Sequence, residues 1–301
     1  MTGHPDRPFA GILLMLGFCV LIPLSDAMAK ILGQTVALPV ILLARFVLQA
    51  AILAAVLAVA GGGLRVPRGL RRWVLARTLL YIAGMGLMFA ALRVMPLADA
   101  VAIAFVMPFI LLLLGHFVMG EEVGRVRLGA CAVGFLGTLL VIQPNFAEVG
   151  WAALLPLGVA VVFALFMLVT RRATRELAPL PLQAITGVQG TLILLPVVLL
   201  LLPMEALTAP LAHGPTLGRL TAMAVFGTVA HLMMTWSLKL APASTLAPMQ
   251  YLEIPFATLV GLMIFGDLPD GLAMLGICIT VAAGLFVVLR ERAIARAAPA
   301  T

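Results

Sequence analysis

The chain is a succession of apolar runs separated by short polar loops, and each run has close to the ~20 residues that a membrane-spanning α-helix needs. The runs are continuous and lack the residue-by-residue alternation of transmembrane β-strands, which argues against an outer-membrane barrel. Charged residues make up only 10% of the sequence, whereas a soluble domain carries about 25%. The sequence therefore predicts an all-α membrane protein.

Ten runs of this kind predict ten transmembrane helices, referred to below as spans one to ten. The predicted spans cover residues 9–32, 38–60, 73–93, 97–119, 126–143, 151–171, 183–203, 217–239, 243–266 and 271–290.

Two stretches of the chain, residues 96–121 and 242–267, resemble each other closely. Each starts on a proline, carries a second proline inside its apolar run (Pro108 and Pro255) and ends on a glycine followed by an acidic residue. A match of this kind indicates an internal duplication, and it constrains the architecture of the whole chain.

The duplication extends outward and predicts two five-helix repeats, residues 9–143 and 151–290. Because five is an odd number, the second repeat must enter the membrane from the opposite side. The loop at 61–72 carries several arginines, whereas its counterpart at 203–216 carries no lysine or arginine. We therefore expect inverted repeats, with a substrate site near the midplane where the two repeats meet.

The basic residues indicate the orientation in the membrane. Most of the 19 lysines and arginines fall on one side if the N-terminus is cytoplasmic. The positive-inside bias then predicts a multi-pass protein of the inner membrane with both termini in the cytoplasm. The same loops account for the net charge of +7, so no nucleic-acid partner is expected.

Glu253 is the sharpest candidate for a functional residue. Ionisable groups within a membrane are costly and are usually functional. Glu253 precedes Pro255 by two residues, and this proline bends the helix and frees a backbone carbonyl near Tyr251. Glu253 is therefore predicted to bind a substrate, a cation or a proton; the alternative is an interhelical hydrogen bond.

Asp26 and Lys30 lie four residues apart on span one and share a helix face. Asp26 is predicted to contact substrate. Lys30 is assigned a structural or gating role, with extension of its side chain to the membrane surface as the alternative. Arg45 on span two is interpreted as a structural partner of Asp26 or of a backbone carbonyl.

Several aromatic and polar residues complete the predicted substrate site. Tyr81, His231 and Trp236 are candidates for ring stacking or hydrogen bonds to a ligand, and Gln250 and Tyr251 belong to the polar segment before Glu253. Pro108 and Pro255 are predicted to have structural or gating roles.

No cofactor or metal site is expected. The four histidines are scattered, the three cysteines lie inside apolar spans, and there is no P-loop. The predicted partners are a small-molecule substrate and the lipid bilayer, with a homodimer through spans five and ten as a further alternative.

The organisation resembles the EamA-type transporters of the drug/metabolite transporter superfamily over almost the whole chain. The resemblance is carried by Ala44-Arg45-Phe46, the two proline-containing stretches, and the glycine-rich spans five and ten. It implies a central cavity lined by spans one, three, four, six, eight and nine, with spans five and ten at the periphery. Span two, and with it Arg45, is outside that set.

Within the superfamily, segments 26–30 and 250–253 are similar to the branch that includes riboflavin transporters and S-adenosylmethionine carriers. This resemblance implies an inner-membrane secondary transporter that moves a small organic metabolite by alternating access, with riboflavin-like uptake as the preferred activity. The alternatives are an exporter of amino acids or amphipathic drugs, an S-adenosylmethionine carrier and, less favoured, a membrane-embedded transferase.

Overall fold

The computed structural model describes residues 7–61, 63–120, 124–142, 150–267 and 271–297, and their regular structure is helical throughout. The helices of the first half are α1 (Pro8–Leu32), α2 (Leu38–Ala60), α3 (Arg71–Leu92), α4 (Leu97–Ala104), α5 (Met107–Met119) and α6 (Arg125–Ile142). Those of the second half are α7 (Leu154–Thr174), α8 (Pro179–Leu201), α9 (Met204–Ala212), α10 (Gly214–Leu240), α11 (Ala243–Leu246), α12 (Glu253–Phe265) and α13 (Gly271–Ala297).

Within the described residues, eight helical segments are long and apolar enough to cross a membrane, and they correspond to predicted spans one to four and six to nine. Predicted spans five and ten lie on α6 and α13, and the apolar part of α13, Met274–Arg290, is shorter. The chain is thus a multi-pass membrane protein, and the count of ten spans stays a prediction. Glu121 and residue 143, the predicted end of the first repeat, lie outside the described residues.

Spans four and nine are both interrupted in the middle. In span four, α4 ends at Ala104 and α5 begins at Met107, directly before Pro108. In span nine, a 3₁₀ segment, Ala247–Leu252, separates α11 from α12. Both breaks precede the proline because its ring fits the first turn of a new helix but cannot continue an old one.

The two interrupted spans also end alike. Gly120 and Gly266 follow α5 and α12 and adopt left-handed φ angles of 65° and 74°. A side chain is strained in this conformation, so glycine is the residue that allows both helices to stop there. The paired Gly-acid motif of the duplication therefore has a local structural cause.

The largest helix interfaces join the two halves of the chain. α1 packs on α10 and α3 packs on α7, while α2 packs on α8 and α6 on α13. The last two pairs join helices that the duplication makes equivalent. One hydrophobic core contains residues from both halves, so the predicted repeats, 9–143 and 151–290, share their packing.

Gly187 marks the closest approach of α2 and α8. A Cβ atom there would lie 2.9 Å from the backbone nitrogen of Ala50, a contact that requires the helices to move apart. We expect Gly187→Ala to lower the free energy of unfolding by about 1–3 kcal/mol, as overpacking does, measured as a lower thermal midpoint in detergent. Gly218→Ala on α10 is the control, because nothing lies within 4 Å of its Cβ position. Equal midpoints for the two variants would contradict this packing.

Candidate functional site

A cavity lies between the two halves and encloses about 610 Å³ of space free of protein atoms, its opening included. Its walls come from α1, α2, α3, α4, α5, α7, α10 and α12. These helices include every span that the family resemblance implied, and α2 in addition. The expectation that α2 stays outside is wrong for Arg45, which lines the cavity.

The cavity occupies one end of the bundle. α3 contributes Gly84 and Phe89 from its C-terminal half, whereas α7 contributes Val159 and Phe163 from its N-terminal half. The charge pattern places both of these helix portions toward the outer surface. The cavity therefore lies in the predicted outer half of the membrane.

Two carboxyl groups face the cavity without a hydrogen-bond partner. Asp26 on α1 is 5% exposed, and Glu253 at the start of α12 is 6% exposed. Neither forms a hydrogen bond or an ion pair with any residue that the structure describes. Buried polar groups are normally paired, so two unpaired carboxyl groups beside a cavity indicate a place where a ligand binds.

Arg45 supplies the positive charge in the cavity wall. Its Nη1 donates hydrogen bonds to Gln49 Oε1 at 2.9 Å and Thr228 Oγ1 at 3.0 Å. Its Nη2 donates to the Tyr81 hydroxyl at 3.0 Å, and the guanidinium also attracts the Asp26 carboxyl electrostatically. These contacts join α2 to α3 and α10, and they go to side-chain acceptors rather than to the backbone carbonyl or the Asp26 ion pair that the sequence suggested.

Aromatic rings form the floor of the cavity. His231 on α10 packs edge-on against Phe18 at 5.5 Å and Phe163 at 5.8 Å between ring centres, and these three residues line the cavity. Tyr81 lies beneath them, 4.6 Å from His231 and 5.0 Å from Phe166. The side chain of Tyr81 is fully buried and contacts the cavity wall through Arg45 and His231.

Lys30 is placed at the rim rather than in the cavity. It is half-buried near the end of α1, and its Nζ donates a 3.1 Å hydrogen bond to the Met95 carbonyl. The same ammonium lies 4.8 Å from the centre of the Phe265 ring and is attracted by Asp99 and Asp267. Lys30 thus connects the ends of three spans that are predicted to face outward, and its gating role stays a prediction.

Three of the predicted binding residues lie away from the cavity. Trp236 is 38% exposed on the outside of α10, because five residues at 100° each place it about 140° around the helix from His231. Tyr251 donates a hydrogen bond to the Cys131 carbonyl at 3.1 Å and packs against Gly134. Gln250 is fully buried, and its amide has no hydrogen-bond partner among the described residues.

Some lining residues were missed, although the sequence holds a signal for them. Phe18 and Ile22 precede Asp26 by eight and four residues and share its helix face. In the internal repeat, an offset of 141 residues relates Phe18 to Val159 and Ile22 to Phe163, and these four residues all line the cavity. Combining helix periodicity with the internal repeat would have found them.

Another missed residue is Arg77 on α3, below the aromatic floor. Its side chain is fully buried, unlike the loop arginines on which the predicted orientation rests. Its guanidinium donates hydrogen bonds to Thr170, Gln183, Thr186 and Thr235. This interhelical network was not predicted because its members are far apart in sequence.

The arrangement suits reversible binding of a flat organic molecule. Aromatic rings offer stacking surfaces, the Asp26 and Glu253 carboxyl groups can accept hydrogen bonds, and Arg45 fixes a positive charge nearby. Among the described residues, no group of three or more histidine, cysteine or acidic side chains is placed to hold a metal ion.

The family model of the EamA-like transporters matches residues 9–143 and again residues 150–289. The chain therefore belongs to the EamA-like transporter family, within the drug/metabolite transporter superfamily, and carries its domain twice.

Curated relatives carry transporter names. A riboflavin transporter of Rhizobium johnstonii is 30% identical over 223 residues, which cover 72% of this chain and 70% of the relative. An S-adenosylmethionine uptake transporter of Rickettsia prowazekii is 23% identical, covering 72% and 71%. A riboflavin transporter of Vibrio cholerae is 27% identical, covering 71% of this chain and 70% of the relative.

A solved crystal structure shares the fold, with a TM-score of 0.73 at 19% identity, and the match covers 94% of this chain and 98% of the chain in that structure.

The contacts of Arg45 can be tested without knowledge of the substrate. A lysine donates from a single nitrogen atom, which cannot occupy both the Nη1 position that serves Gln49 and Thr228 and the Nη2 position that serves Tyr81. We expect Arg45→Lys to lower the free energy of unfolding by about 1–3 kcal/mol, because a buried polar partner loses its hydrogen bond. Arg72→Lys, on the exposed start of α3, is the matched control. If both variants melt at the wild-type temperature in detergent, Arg45 does not make these bonds.

Proposed function

We propose that this chain is an inner-membrane secondary transporter that takes up a flavin, riboflavin or a close analogue, by alternating access. The observation that carries the proposal is the cavity between the two halves, where stacked aromatic rings face two unpaired carboxyl groups and one arginine. The family and the names of its relatives indicate a transporter rather than an enzyme.

The aromatic part of the cavity supports a flat, ring-containing substrate. Phe18 and Phe163 are nearly parallel, with an interplanar angle of 23° and ring centres 6.4 Å apart. Because aromatic surfaces touch at about 3.5–4.0 Å, a small separation of these rings would admit a planar ring system between them. Hydroxyl groups of a sugar-like side chain would then donate to Asp26 and Glu253.

Alternating access is supported by the way the duplicated elements share the cavity. Met107 and Glu253 follow the two helix breaks, are separated by the 146 residues that relate Pro96 to Pro242, and both line the cavity. We infer that the repeats are inverted, that both termini are cytoplasmic, and that one half rocks against the other around this site.

S-adenosylmethionine is the second candidate substrate. The cavity holds two carboxyl groups against one arginine, and aromatic faces also attract cations. A sulfonium cation with an attached purine would use both features, and several relatives are named for S-adenosylmethionine uptake.

A binding measurement separates these candidates. The purified protein is heated in detergent with riboflavin, S-adenosylmethionine, a nucleoside or an amino acid, and its melting midpoint is recorded. Riboflavin is expected to give the largest increase, because binding to the folded state stabilises it by mass action. A response to S-adenosylmethionine alone would replace the flavin proposal, and a response to amino acids alone would favour the exporter alternative.

Glu253 is expected to be required for transport and dispensable for folding. Glutamine keeps the shape of the side chain but cannot exchange a proton as the cavity opens to either side. Glu253→Gln should therefore reach the membrane in normal amounts and lose the pH dependence of labelled-substrate uptake. Glu205→Gln, on the exposed surface of α9, should behave like the wild type. Unchanged pH dependence in Glu253→Gln would show that this carboxyl only holds helices together.

A further inference from the structure

Arg77 is the centre of a polar network that the cavity does not include. Its Nε donates to Thr170 Oγ1 at 2.9 Å, and its Nη1 donates to Thr186 Oγ1. Its Nη2 donates to Gln183 Oε1 at 2.6 Å and to Thr235 Oγ1 at 3.2 Å. We call these five residues the Arg77 network.

The network joins the two halves of the chain. Arg77 lies on α3 in the first half, whereas its four partners lie on α7, α8 and α10 in the second half. Each of these bonds therefore lengthens or breaks when one half moves against the other. A network used only to stiffen one helix or one half would not have this distribution.

The network lies on the far side of the aromatic floor from the cavity. Arg77 precedes the cavity-lining residue Gly84 by seven residues of α3, a rise of about 10 Å. Thr170 is near the C-terminal end of α7, and Gln183 is near the N-terminal end of α8. Both helix ends are predicted to be cytoplasmic, so the network closes the bundle between the cavity and the cytoplasm.

The partners of Arg77 are all neutral. Among the residues that the structure describes, no carboxylate forms an ion pair with it, and the Phe166 ring covers the guanidinium at 4.7 Å. Breaking a buried ion pair leaves an uncompensated charge, whereas hydroxyl and amide acceptors can be exchanged for water at a smaller cost. A neutral set of acceptors is therefore suited to a contact that must open and close repeatedly.

Alternative explanations fit these contacts less well. A lysine or arginine that only anchors a span extends toward the membrane surface, but the Arg77 side chain is fully buried. The network places one guanidinium, three hydroxyls and an amide in the membrane interior. Simple helix packing would need fewer polar groups than this, because each of them is costly there.

We propose that the Arg77 network is the cytoplasmic gate of the transport path: it is closed in this structure, and its opening exposes the cavity to the cytoplasm. This inference rests on the proposed transporter function. In the closed state, hydrogen bonds from Arg77 hold α3 against α7, α8 and α10. Opening requires that water replaces these acceptors as the halves separate.

Chemical labelling of a single cysteine tests the gate without any substrate. Met88→Cys, in a background with the three native cysteines replaced, places a thiol in the half-buried cavity wall. In intact cells a membrane-impermeant maleimide should label it from outside. Thr186→Val removes one acceptor of Arg77 and should shift the equilibrium toward the inward-open state by about fivefold, the effect of one net hydrogen bond. Outside labelling of Met88→Cys should therefore fall.

The matched control is Thr221→Val, because Thr221 is exposed on α10 and donates only to the Leu217 carbonyl of its own helix. It should leave labelling unchanged. Arg77→Gln should reduce labelling more than Thr186→Val, since it removes the shared donor. General loosening of the fold would raise labelling, so a fall separates gate opening from damage.

Equal labelling in the parent, Thr186→Val and Arg77→Gln proteins would overturn the proposed gate. Labelling of the parent protein only from the cytoplasmic side would also overturn it. Since no ligand takes part, a result against the gate is distinguishable from a failure of the flavin proposal, which shows itself in the binding measurement.

Discussion

Two guanidinium groups in the membrane interior must find their hydrogen-bond acceptors within the protein, because hydrocarbon provides none. Arg77 meets this requirement with side chains on three other helices. Both terminal nitrogens of Arg45 find acceptors as well, whereas its Nε has no partner among the described residues. Thr228 and Thr235 bring both guanidinium groups to α10. In the state that the structure describes, α2 and α3 are thereby held against the second half of the chain. Gly227 shows how tight this arrangement is: a Cβ atom there would lie 2.7 Å from the Arg45 guanidinium.

Since Arg77 finds hydrogen-bond acceptors inside the membrane, buried polar groups that lack a partner are informative. Arg77 is surrounded by acceptors, whereas Asp26 and Glu253 face the cavity unpaired. Glu253 directly follows the break between α11 and α12. Irregular backbone at membrane depth is tolerated where it is covered by protein or lines a cavity, and this break meets that condition. The duplication places a second break, before Pro108, against the same cavity. Binding groups and hinge-like backbone thus occupy one place, as a rocking mechanism requires.

The sequence predicted more of the fold than of the site. Hydropathy located the eight helical segments that are long and apolar enough to cross a membrane, and the repeat pointed to both proline-associated breaks. For single residues, the cost of burying charge singled out Asp26 and Glu253, which the structure places beside the cavity. The same reasoning did not predict the hydrogen-bond partners of Arg77, because its hydroxyl partners come together only when the helices pack. Trp236 was wrongly predicted to face the cavity because its residue type was considered without helix periodicity. The prediction for Tyr251 was also wrong, since its hydroxyl donates a hydrogen bond to the Cys131 carbonyl.

The central claim is that the cavity between the halves carries a flavin across the membrane. Counterflow tests it most directly: purified protein is reconstituted into liposomes loaded with unlabelled riboflavin, and labelled riboflavin is added outside. A carrier that exchanges one molecule for another accumulates label transiently above the outside concentration, and excess unlabelled riboflavin outside abolishes this accumulation. We predict both results for this chain. Uptake no greater than in protein-free liposomes, from a protein that is folded and inserted, would contradict the account.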